Sequence, residues 1–408
     1  MKFSARAQAV TPFLAMEFGK RAAALQAAGR SVIPLNIGEP DFGAPPAVLQ
    51  AARERLGDTA LAYTAALGLP QLRQAIADFY LRAHGVRIDA QRVVVTAGAS
   101  AALLLVTAAL VDPGDEVLVG DPSYPCNRQF LAGFGADVRL VSTDASTRFQ
   151  LDARLVREHW SERTRGLLIA TPSNPTGSSV APEQLRAICD FARERQAWRV
   201  VDEIYLDLAD GEAGGGPARS VLDFDDEAVV INSFSKYFGM TGWRLGWCVV
   251  PPQMVPVVER LAQNYYICAS TLSQHAALAC FTPESIEVCE QRRREFAARR
   301  RIVLDGLREA GLPVPVVPDG AFYVYIDVRS TGLDSMHFCE RALDEAGVAL
   351  TPGHDFGACG ARDHVRLSYA ASREQLHEGL QRLARFVRTL PGAENARAAP
   401  GEGARSAR

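Results

Sequence analysis

Short apolar runs alternate with helical stretches along most of this 408-residue chain, and this alternation limits the folds that it can adopt. The runs Arg92–Thr96, Gly166–Thr171 and Ala228–Ser233 are rich in Val, Ile and Leu, and turn-forming or helix-forming residues follow each of them. Strands that are apolar along their whole length are typical of a parallel sheet that is covered on both faces. The pattern therefore predicts an α/β fold, in which helices flank a mostly parallel central sheet.

A smaller α+β domain is predicted from about residue 287 onwards, where the pattern changes. A long Arg-rich helix over Glu287–Ala310 is followed by strand-like segments at Phe322–Asp327 and Val365–Tyr369. Asp210–Ala218 is predicted to be a Gly-rich surface loop. We divide the chain into an N-terminal arm with part of the small domain (1–41), a large α/β domain (42–286), the small C-terminal α+β domain (287–390) and a disordered tail (391–408).

Charge and hydropathy exclude several classes of function. The formal net charge is −3, so no broad basic surface is available for nucleic acid or for an anionic membrane. Met1–Phe18 carries charges and lacks a continuous apolar core, unlike a signal peptide. No stretch reaches the roughly 20 apolar residues that a membrane helix needs. We therefore expect a soluble cytoplasmic protein.

The eight cysteines do not form a metal-binding pattern. None of them belongs to a CxxC pair, and their spacings match no known zinc motif. Several lie in apolar runs, which is typical of buried free thiols in a reducing compartment. The sequence therefore predicts neither a metal site nor a disulfide framework.

Lysine is scarce, and this scarcity singles out Lys236. The 44 basic residues include three lysines, of which Lys2 and Lys20 lie near the N-terminus. Arginine cannot supply an amine nucleophile, so Lys236 is the one candidate for such chemistry in the body of the chain. Most lysines are solvated surface charges, but this one follows a predicted strand among aromatic and Gly residues. A desolvated lysine has a lowered pKa and can form a Schiff base with a carbonyl.

Two segments contain residues that bind anions. Ser233 and Arg244, on either side of Lys236, can clamp a dianion such as a phosphate. Thr96–Ser100 follows a predicted strand and opens a helix, whose first amides and hydroxyl make an anion site. Many strand-to-helix turns look similar, and this one matches neither the P-loop nor the dinucleotide fingerprint. Only the combination predicts a phosphate site.

Polar residues also follow two neighbouring predicted strands, at the edge where open α/β sheets bind ligands. Asp202 ends the apolar run Trp198–Val201, and it is either a helix N-cap or a buried carboxylate that pairs with a protonated ring nitrogen. Tyr205 can donate a hydrogen bond to a ring oxygen. Asn174 lies in a turn-forming segment, yet its amide can hold a phenolate oxygen at the same edge.

Together these segments resemble the fold-type I pyridoxal-phosphate enzymes of aminotransferase class I/II, especially their bacterial aspartate/alanine/aromatic-like subgroup. The resemblance runs from about Ile33 to Leu390, in the family's order and with about its spacings. The motifs that carry it are Asn36-Ile-Gly-Glu-Pro-Asp-Phe, Tyr63-Thr with Gly68-Leu-Pro-Gln-Leu-Arg, Asn174-Pro-Thr-Gly, Asp202-Glu-Ile-Tyr, Ser235-Lys with Met240-Thr-Gly-Trp-Arg-Leu-Gly, Gly320-Ala-Phe-Tyr and Arg366-Leu-Ser-Tyr. The resemblance implies an aspartate-aminotransferase-like fold.

The resemblance also implies a cofactor, pyridoxal 5′-phosphate, and a role for each matching residue. Lys236 is expected to carry the cofactor as a Schiff base and to act as the general acid and base. Asp202 is expected to keep the ring nitrogen protonated, and Tyr205 and Asn174 to bind the ring 3-oxygen. The residues expected to bind the phosphate are Gly98, Ala99, Ser100, Ser233, Arg244 and, as a further possibility, Ser235. Tyr124 is expected to stack on the ring.

Substrate and partner follow from the same resemblance. Arg366, the backbone of Gly38 and Asn174 are expected to bind the α-carboxylate of the amino acid. Tyr63 is expected to reach the phosphate of a neighbouring subunit, which implies a homodimer with shared sites. The substrates are an L-amino acid and a 2-oxo acid, between which the enzyme moves an amino group.

The amino donor is expected to be neutral or aromatic. Some members of the family bind a distal carboxylate with an arginine in the stretch that matches Gln263–Gln274, and this chain has no positive charge there. Arg128 is an alternative cation, but a plain surface position is the favoured interpretation for it. Tyr265, Tyr266 and Phe13 are candidates for an apolar pocket, and 2-oxoglutarate or pyruvate for the acceptor.

Two further functions are compatible with these residues. The first is a pyridoxal-phosphate-dependent lyase that cleaves a β C–S bond, or a cyclopropane-forming synthase, because the same cofactor residues serve both. The second is a non-catalytic sensor of pyridoxal phosphate. Such sensors carry an added DNA-binding domain, for which there is no room before Ile33, and the retained Lys236 favours catalysis.

Overall fold

The structure is a computed structural model, and it describes residues 1–57, 61–210 and 219–391. Apart from Asp210 and Pro391, the Gly-rich loop and the tail predicted from the sequence lie outside the described residues. In the described part of the chain, no helix is both long and apolar enough to cross a membrane.

Helices and strands alternate through the first two thirds of the chain. The α-helices are α1 (Ala5–Ala9), α2 (Leu14–Ala27), α3 (Pro46–Gly57), α4 (Pro70–His84), α5 (Ala99–Leu110), α6 (Pro125–Gly133), α7 (Ala153–His159), α8 (Pro182–Glu194), α9 (Val255–Tyr265), α10 (Thr271–Ala277), α11 (Pro283–Glu309), α12 (Ser335–Arg341) and α13 (Arg373–Val387). The strands are β1 (Ile33–Pro34), β2 (Val93–Thr96), β3 (Glu116–Asp121), β4 (Asp137–Ser142), β5 (Thr164–Ala170), β6 (Trp198–Asp202), β7 (Val229–Ser233), β8 (Gly246–Val249), β9 (Tyr323–Asp327), β10 (Val348–Ala349), β11 (Thr351–Pro352) and β12 (His364–Ser368).

A seven-stranded sheet forms the centre of the molecule, with the strand order β2-β8-β7-β6-β5-β3-β4. β8 is antiparallel to both of its neighbours, and the other adjacent pairs are parallel. Strands β2, β7 and β8 are buried along their whole length, as expected for a sheet with helices on both faces. The predicted α/β fold with a mostly parallel sheet is confirmed.

The sheet topology brings the polar residues at the strand ends to one edge. Because β2, β5, β6 and β7 run in the same direction, their carboxyl ends lie at the same edge of the sheet. Thr96 ends β2, Asp202 ends β6 and Ser233 ends β7. The edge therefore collects residues that are separated by more than 100 positions in the sequence.

A smaller region contains the three-stranded antiparallel sheet β11-β12-β9, together with α11 and α13, which pack against each other. The N-terminal segment joins this region because β1 pairs in parallel with β10, with Ile33 opposite Val348. This pairing supports the proposed division in which residues 1–41 complete the small domain.

Helix α11 begins earlier than the sequence predicts. It starts at Pro283 rather than at Glu287, because the Thr282 side chain accepts a hydrogen bond from the Ser285 backbone N–H and caps the helix. Proline fits the first turn, where its missing N–H is not needed. α13 ends at Val387, and the chain turns there without regular helix.

Candidate active site

A cavity of about 600 Å³ opens at the carboxyl edge of the central sheet. Its wall includes residues of α2, the first residues of α5, the ends of β6 and β7, and the segment around Gly38. The residues predicted from the sequence that line it are Gly38, Ala99, Ser100, Tyr124, Asn174, Asp202, Tyr205, Ser233, Ser235, Lys236, Arg244 and Arg366. We call this cavity the chamber.

Lys236 lies in the turn that follows β7, and its amine points into the chamber. Its Nζ donates a hydrogen bond to the Gly38 carbonyl at 2.7 Å. Burial lowers the pKa of Lys236 to about 8. The Glu39 carboxylate opposes this shift, and the positive charges of Arg366 and Arg244 add to it. Near neutral pH a useful fraction of this amine is therefore unprotonated and can act as a nucleophile or a base.

Asp202 ends β6 and is buried, with 5% of its surface exposed. Its Oδ1 accepts a hydrogen bond from the Ile204 backbone N–H at 3.1 Å, so the carboxylate closes a local turn. Burial raises the pKa of Asp202 to about 6, although this hydrogen bond and the charge of Lys236 both lower it. Asp202 does not cap a helix, because the short turn after β6 begins at Leu206 with Tyr205 at its N-cap position. A buried carboxylate of this kind suits a cationic partner.

Tyr205 is buried, and its hydroxyl lies 2.9 Å from the hydroxyl of Tyr323. Tyr323 was not singled out from the sequence, although it belongs to the Gly320-Ala-Phe-Tyr motif. A Cβ atom on Gly38 would lie 2.4 Å from the Tyr323 hydroxyl oxygen. The absence of a side chain at Gly38 therefore lets the backbone of its loop approach Tyr323.

An anion-binding corner lies at the start of α5. Gly98 precedes this helix with φ +85° and ψ 170°, a conformation that glycine alone adopts readily. A Cβ atom on Gly98 would lie 2.7 Å from Arg244 Nη2, so the guanidinium packs directly over the glycine. Ser233 donates from its Oγ to Ser235 Oγ at 2.9 Å. Helix N–H groups, hydroxyls and a guanidinium together suit a phosphate dianion.

Arg366 on β12 also lines the chamber and is 1% exposed. Its Nη1 donates to Asn174 Oδ1 at 2.8 Å, and its Nη2 donates to the Asn36 carbonyl at 2.6 Å. The Arg366 guanidinium also lies 4.6 Å from the centre of the Tyr323 ring. Its Nε has no hydrogen-bond partner among the described residues. A buried guanidinium that is held by neutral groups can still bind a carboxylate.

Arg128 and Tyr63, two residues singled out from the sequence, lie outside the wall of the described chamber. Arg128 is half-buried and donates from Nη2 to the Asp355 carbonyl at 2.9 Å, and it does not belong to the chamber wall of the described chain. Arg128 is thus neither a plain surface residue nor a group that faces the cavity. Tyr63 is 79% exposed and lies outside the wall of the described chamber.

Known proteins are similar to this chain over nearly its whole length. The model of the family described as aminotransferase class I and II matches residues 30–383. A valine–pyruvate aminotransferase of Mycobacterium tuberculosis is 39% identical over 379 residues, which cover 93% of this chain and 97% of that protein.

The fold is shared with solved structures. A crystal structure of an aminotransferase from Mycobacterium tuberculosis superposes with a TM-score of 0.91 at 38% identity, over 95% of this chain and 100% of that one. The aspartate aminotransferase of Thermus thermophilus with maleate gives a TM-score of 0.89 at 34% identity, over 94% and 99% of the two chains.

Proposed function

The chain belongs to the aminotransferase class I and II family and is an aminotransferase, and we propose that it holds pyridoxal 5′-phosphate on Lys236 and acts on a neutral or aromatic L-amino acid. One observation carries this proposal. A partly buried lysine with a lowered pKa, a buried carboxylate, an anion-binding corner and a buried arginine all lie in one chamber.

The residues of the chamber fit this cofactor in their chemistry. The phosphate would bind at the start of α5, where Gly98 lets the Arg244 guanidinium lie close to the helix N-terminus. Further donors for it come from the backbone of Ala99 and from Ser100, Ser233 and Ser235. Asp202 would hold the ring nitrogen, Tyr205 and Asn174 the ring oxygen, and Tyr124 one face of the ring.

When bound, pyridoxal phosphate supplies a protonated ring that withdraws electrons from the carbon bearing the amino group. Asp202 would keep the ring nitrogen protonated, because an anion in a buried position stabilises a cation beside it. Lys236, with a pKa of about 8, would take a proton from the substrate α-carbon and return it elsewhere. Return of the proton to a different carbon distinguishes amino-group transfer from a proton exchange at the α-carbon alone.

Arg366 would bind the α-carboxylate of the substrate. Its two Nη atoms are held by Asn174 and by the Asn36 carbonyl, so the guanidinium has a fixed orientation before substrate binds. A fixed carboxylate places the α C–H bond in a defined direction relative to Lys236, which lowers the entropic cost of the proton transfer. The backbone of Gly38 would contribute to the same carboxylate site.

The remaining wall favours a donor with an apolar side chain. Phe13, Ala15, Met16, Ile37 and Leu103 supply apolar surface to the chamber wall. Among the described wall residues, the cation not already assigned a role is Lys20, and it is paired with Glu17 at 2.7 Å. The relative that is 39% identical is named for valine and pyruvate, which agrees with a small neutral donor.

The assignment of Lys236 can be tested by covalent trapping. Incubation of the protein with pyridoxal phosphate followed by borohydride should fix the cofactor on the peptide that contains Lys236, as measured by mass spectrometry. Lys236→Ala should lose both this mass addition and turnover, because Lys20, the other lysine of the described chamber wall, is paired with Glu17. Fixation on Lys20 with retained turnover would refute the assignment.

A single half-reaction distinguishes amino transfer from elimination. The protein loaded with pyridoxal phosphate should convert an amino acid into its 2-oxo acid and retain the nitrogen as pyridoxamine phosphate. A β C–S lyase would instead release a thiol, pyruvate and ammonia together. A panel of donors, each followed by the loss of the cofactor's visible absorbance, also reports which side chain the apolar wall accepts.

We also propose a homodimer in which Tyr63 of one copy reaches the anion-binding corner of the other. The segment around Tyr63 is fixed on α10, because Gln274 donates to the Thr64 hydroxyl at 3.0 Å and Thr271 donates to the Ala62 carbonyl at 2.7 Å. An exposed tyrosine on a segment that is held in this way is well suited to contact a second chain.

A further inference from the structure

Asn36 connects the arginine of the carboxylate site to the helix that forms the apolar wall. Its backbone carbonyl accepts hydrogen bonds from Arg366 Nη2 at 2.6 Å and from the Thr351 hydroxyl at 3.2 Å. Its side-chain Nδ2 donates to the Ala15 carbonyl, in the first turn of α2, at 2.9 Å. The residue is completely buried and forms part of the chamber wall. One residue thus contacts both the carboxylate anchor and the wall.

The side-chain oxygen of Asn36 adds a second observation. Asn36 Oδ1 is buried and has no hydrogen-bond partner within residues 1–57, 61–210 and 219–391. A buried amide oxygen without a partner is unfavourable, so a residue that could be replaced by an apolar one needs another reason to be asparagine. The hydrogen bond from Nδ2 to α2 is such a reason.

Helix α2 depends on contacts from outside its own sequence. Phe13 precedes the helix and has no side-chain group that could cap it, so the Asp355 carboxylate accepts from the Leu14 and Ala15 N–H groups at 2.8 and 3.0 Å. The helix itself buries Phe18 and Ala22. The Asn36 contact and the Asp355 contact both hold the turn of α2 that faces the chamber.

We propose that Asn36 is a positioning residue that places the first turn of α2 at a fixed distance from the carboxylate anchor, and thereby sets the length of donor side chain that the chamber accepts. This inference rests on the proposed function, in which Arg366 binds the α-carboxylate. A substrate held at Arg366 extends its side chain towards the apolar wall, where Ala15 and Met16 of α2 lie. The wall fits a given side chain only while α2 keeps its position relative to Arg366.

Asn36→Ala separates the two halves of this connection. It removes the hydrogen bond to α2 and keeps the backbone carbonyl that accepts from Arg366. Thr351→Val is the matched control, because Thr351 contacts Arg366 and the same carbonyl but is not part of the contact with Ala15. The control weakens the anchor, whereas Asn36→Ala weakens the wall.

Binding of two unreactive acids to the enzyme with its cofactor gives the readout. Calorimetric titration with propionate and with 4-methylpentanoate measures the carboxylate alone and the carboxylate with a long apolar chain. Asn36→Ala should weaken 4-methylpentanoate by about threefold to tenfold, the usual effect of one lost hydrogen bond, and leave propionate within about twofold. Thr351→Val should weaken both acids by the same factor.

A double-mutant cycle distinguishes a specific effect on α2 from a general loss of structure. Met16→Ala shortens the wall directly and should also weaken only 4-methylpentanoate. If Asn36 acts by placing α2, Met16→Ala should cost much less in the Asn36→Ala background than in the unmodified enzyme. Fully additive losses, or an equal loss of both acids in Asn36→Ala, would overturn the inference. If neither acid binds the unmodified enzyme, the carboxylate site of the proposed function fails first.

Discussion

At the scale of single residues, the chemistry could be predicted from the sequence when a residue type was rare or when its neighbours were unusual. Lys236 was visible because lysine is scarce, and Asp202 because it ends an apolar strand. Asn36 and Tyr323 were not visible, since their significance arises from contacts across the fold. Asn36 meets Arg366 from 330 positions away, and no local pattern reports such a contact.

The lowered pKa of Lys236 predicts the pH dependence of its reaction with an aldehyde. Because burial lowers this pKa to about 8, the neutral amine becomes the main form above pH 8. The initial rate of borohydride-trapped fixation by the cofactor-free protein should rise through pH 8 and then level off. An ordinary lysine would continue to gain reactivity up to about pH 10.4. Lys236→Ala, measured in parallel, corrects for the remaining amines, and a rate that still climbs steeply above pH 9.5 would contradict the prediction.

At the scale of elements, strands could be placed more accurately than helix ends. The central strands were predicted to within about two residues, because a buried strand is apolar along its length. β4 was missed, since it lies at the edge of the sheet and is partly exposed, so that Asp137–Ser142 lacks a continuous apolar run. The start of α11 was misplaced because it depends on a hydrogen bond to Thr282.

The turn between β2 and α5 predicts a sharp effect of a small substitution. In Gly98→Ala, the new methyl group would meet Arg244 Nη2 at 2.7 Å in a backbone conformation that alanine disfavours. The guanidinium must then move away from the anion-binding corner. We expect the dissociation constant for pyridoxal phosphate, measured by fluorescence titration, to rise by about tenfold or more, which is the effect of losing a charge-assisted hydrogen bond.

Gly114→Ala is the matched control for this prediction. Gly114 also has a positive φ, of +92°, but a Cβ atom there would have no heavy atom within 4 Å in the described structure. Gly114→Ala therefore introduces backbone strain without a collision at the site. It should lower thermal stability modestly and leave cofactor affinity unchanged. Equal losses of affinity in both variants would mean that strain, rather than displacement of Arg244, is responsible.

At the scale of the whole molecule, the order of the elements was predictable from the sequence. The contacts between segments that are far apart in the sequence were less predictable. The alternating pattern predicted the central sheet, and the change of pattern near residue 287 predicted a second region. The parallel pairing of β1 with β10 joins residues that are more than 300 positions apart. Because this pair is two residues long, its sequence carries no strand signal. The membership of the N-terminal segment in the small domain remains a proposal.

Shared active sites in a homodimer predict complementation between two inactive variants. Tyr63→Ala should weaken cofactor binding in its own homodimer, and Lys236→Ala should be inactive. In a mixed dimer, the site that keeps Lys236 receives an intact Tyr63 from the other subunit, while the second site lacks both. Random reassembly of equal amounts should make about half of the dimers mixed, and should restore up to about one quarter of the unmodified activity at limiting cofactor.

Activity that stays at half of the Tyr63→Ala value, as simple dilution requires, would show that Tyr63 acts within its own chain. Size-exclusion chromatography of both variants verifies that neither substitution prevents association, so that a failure to complement can be assigned to the site.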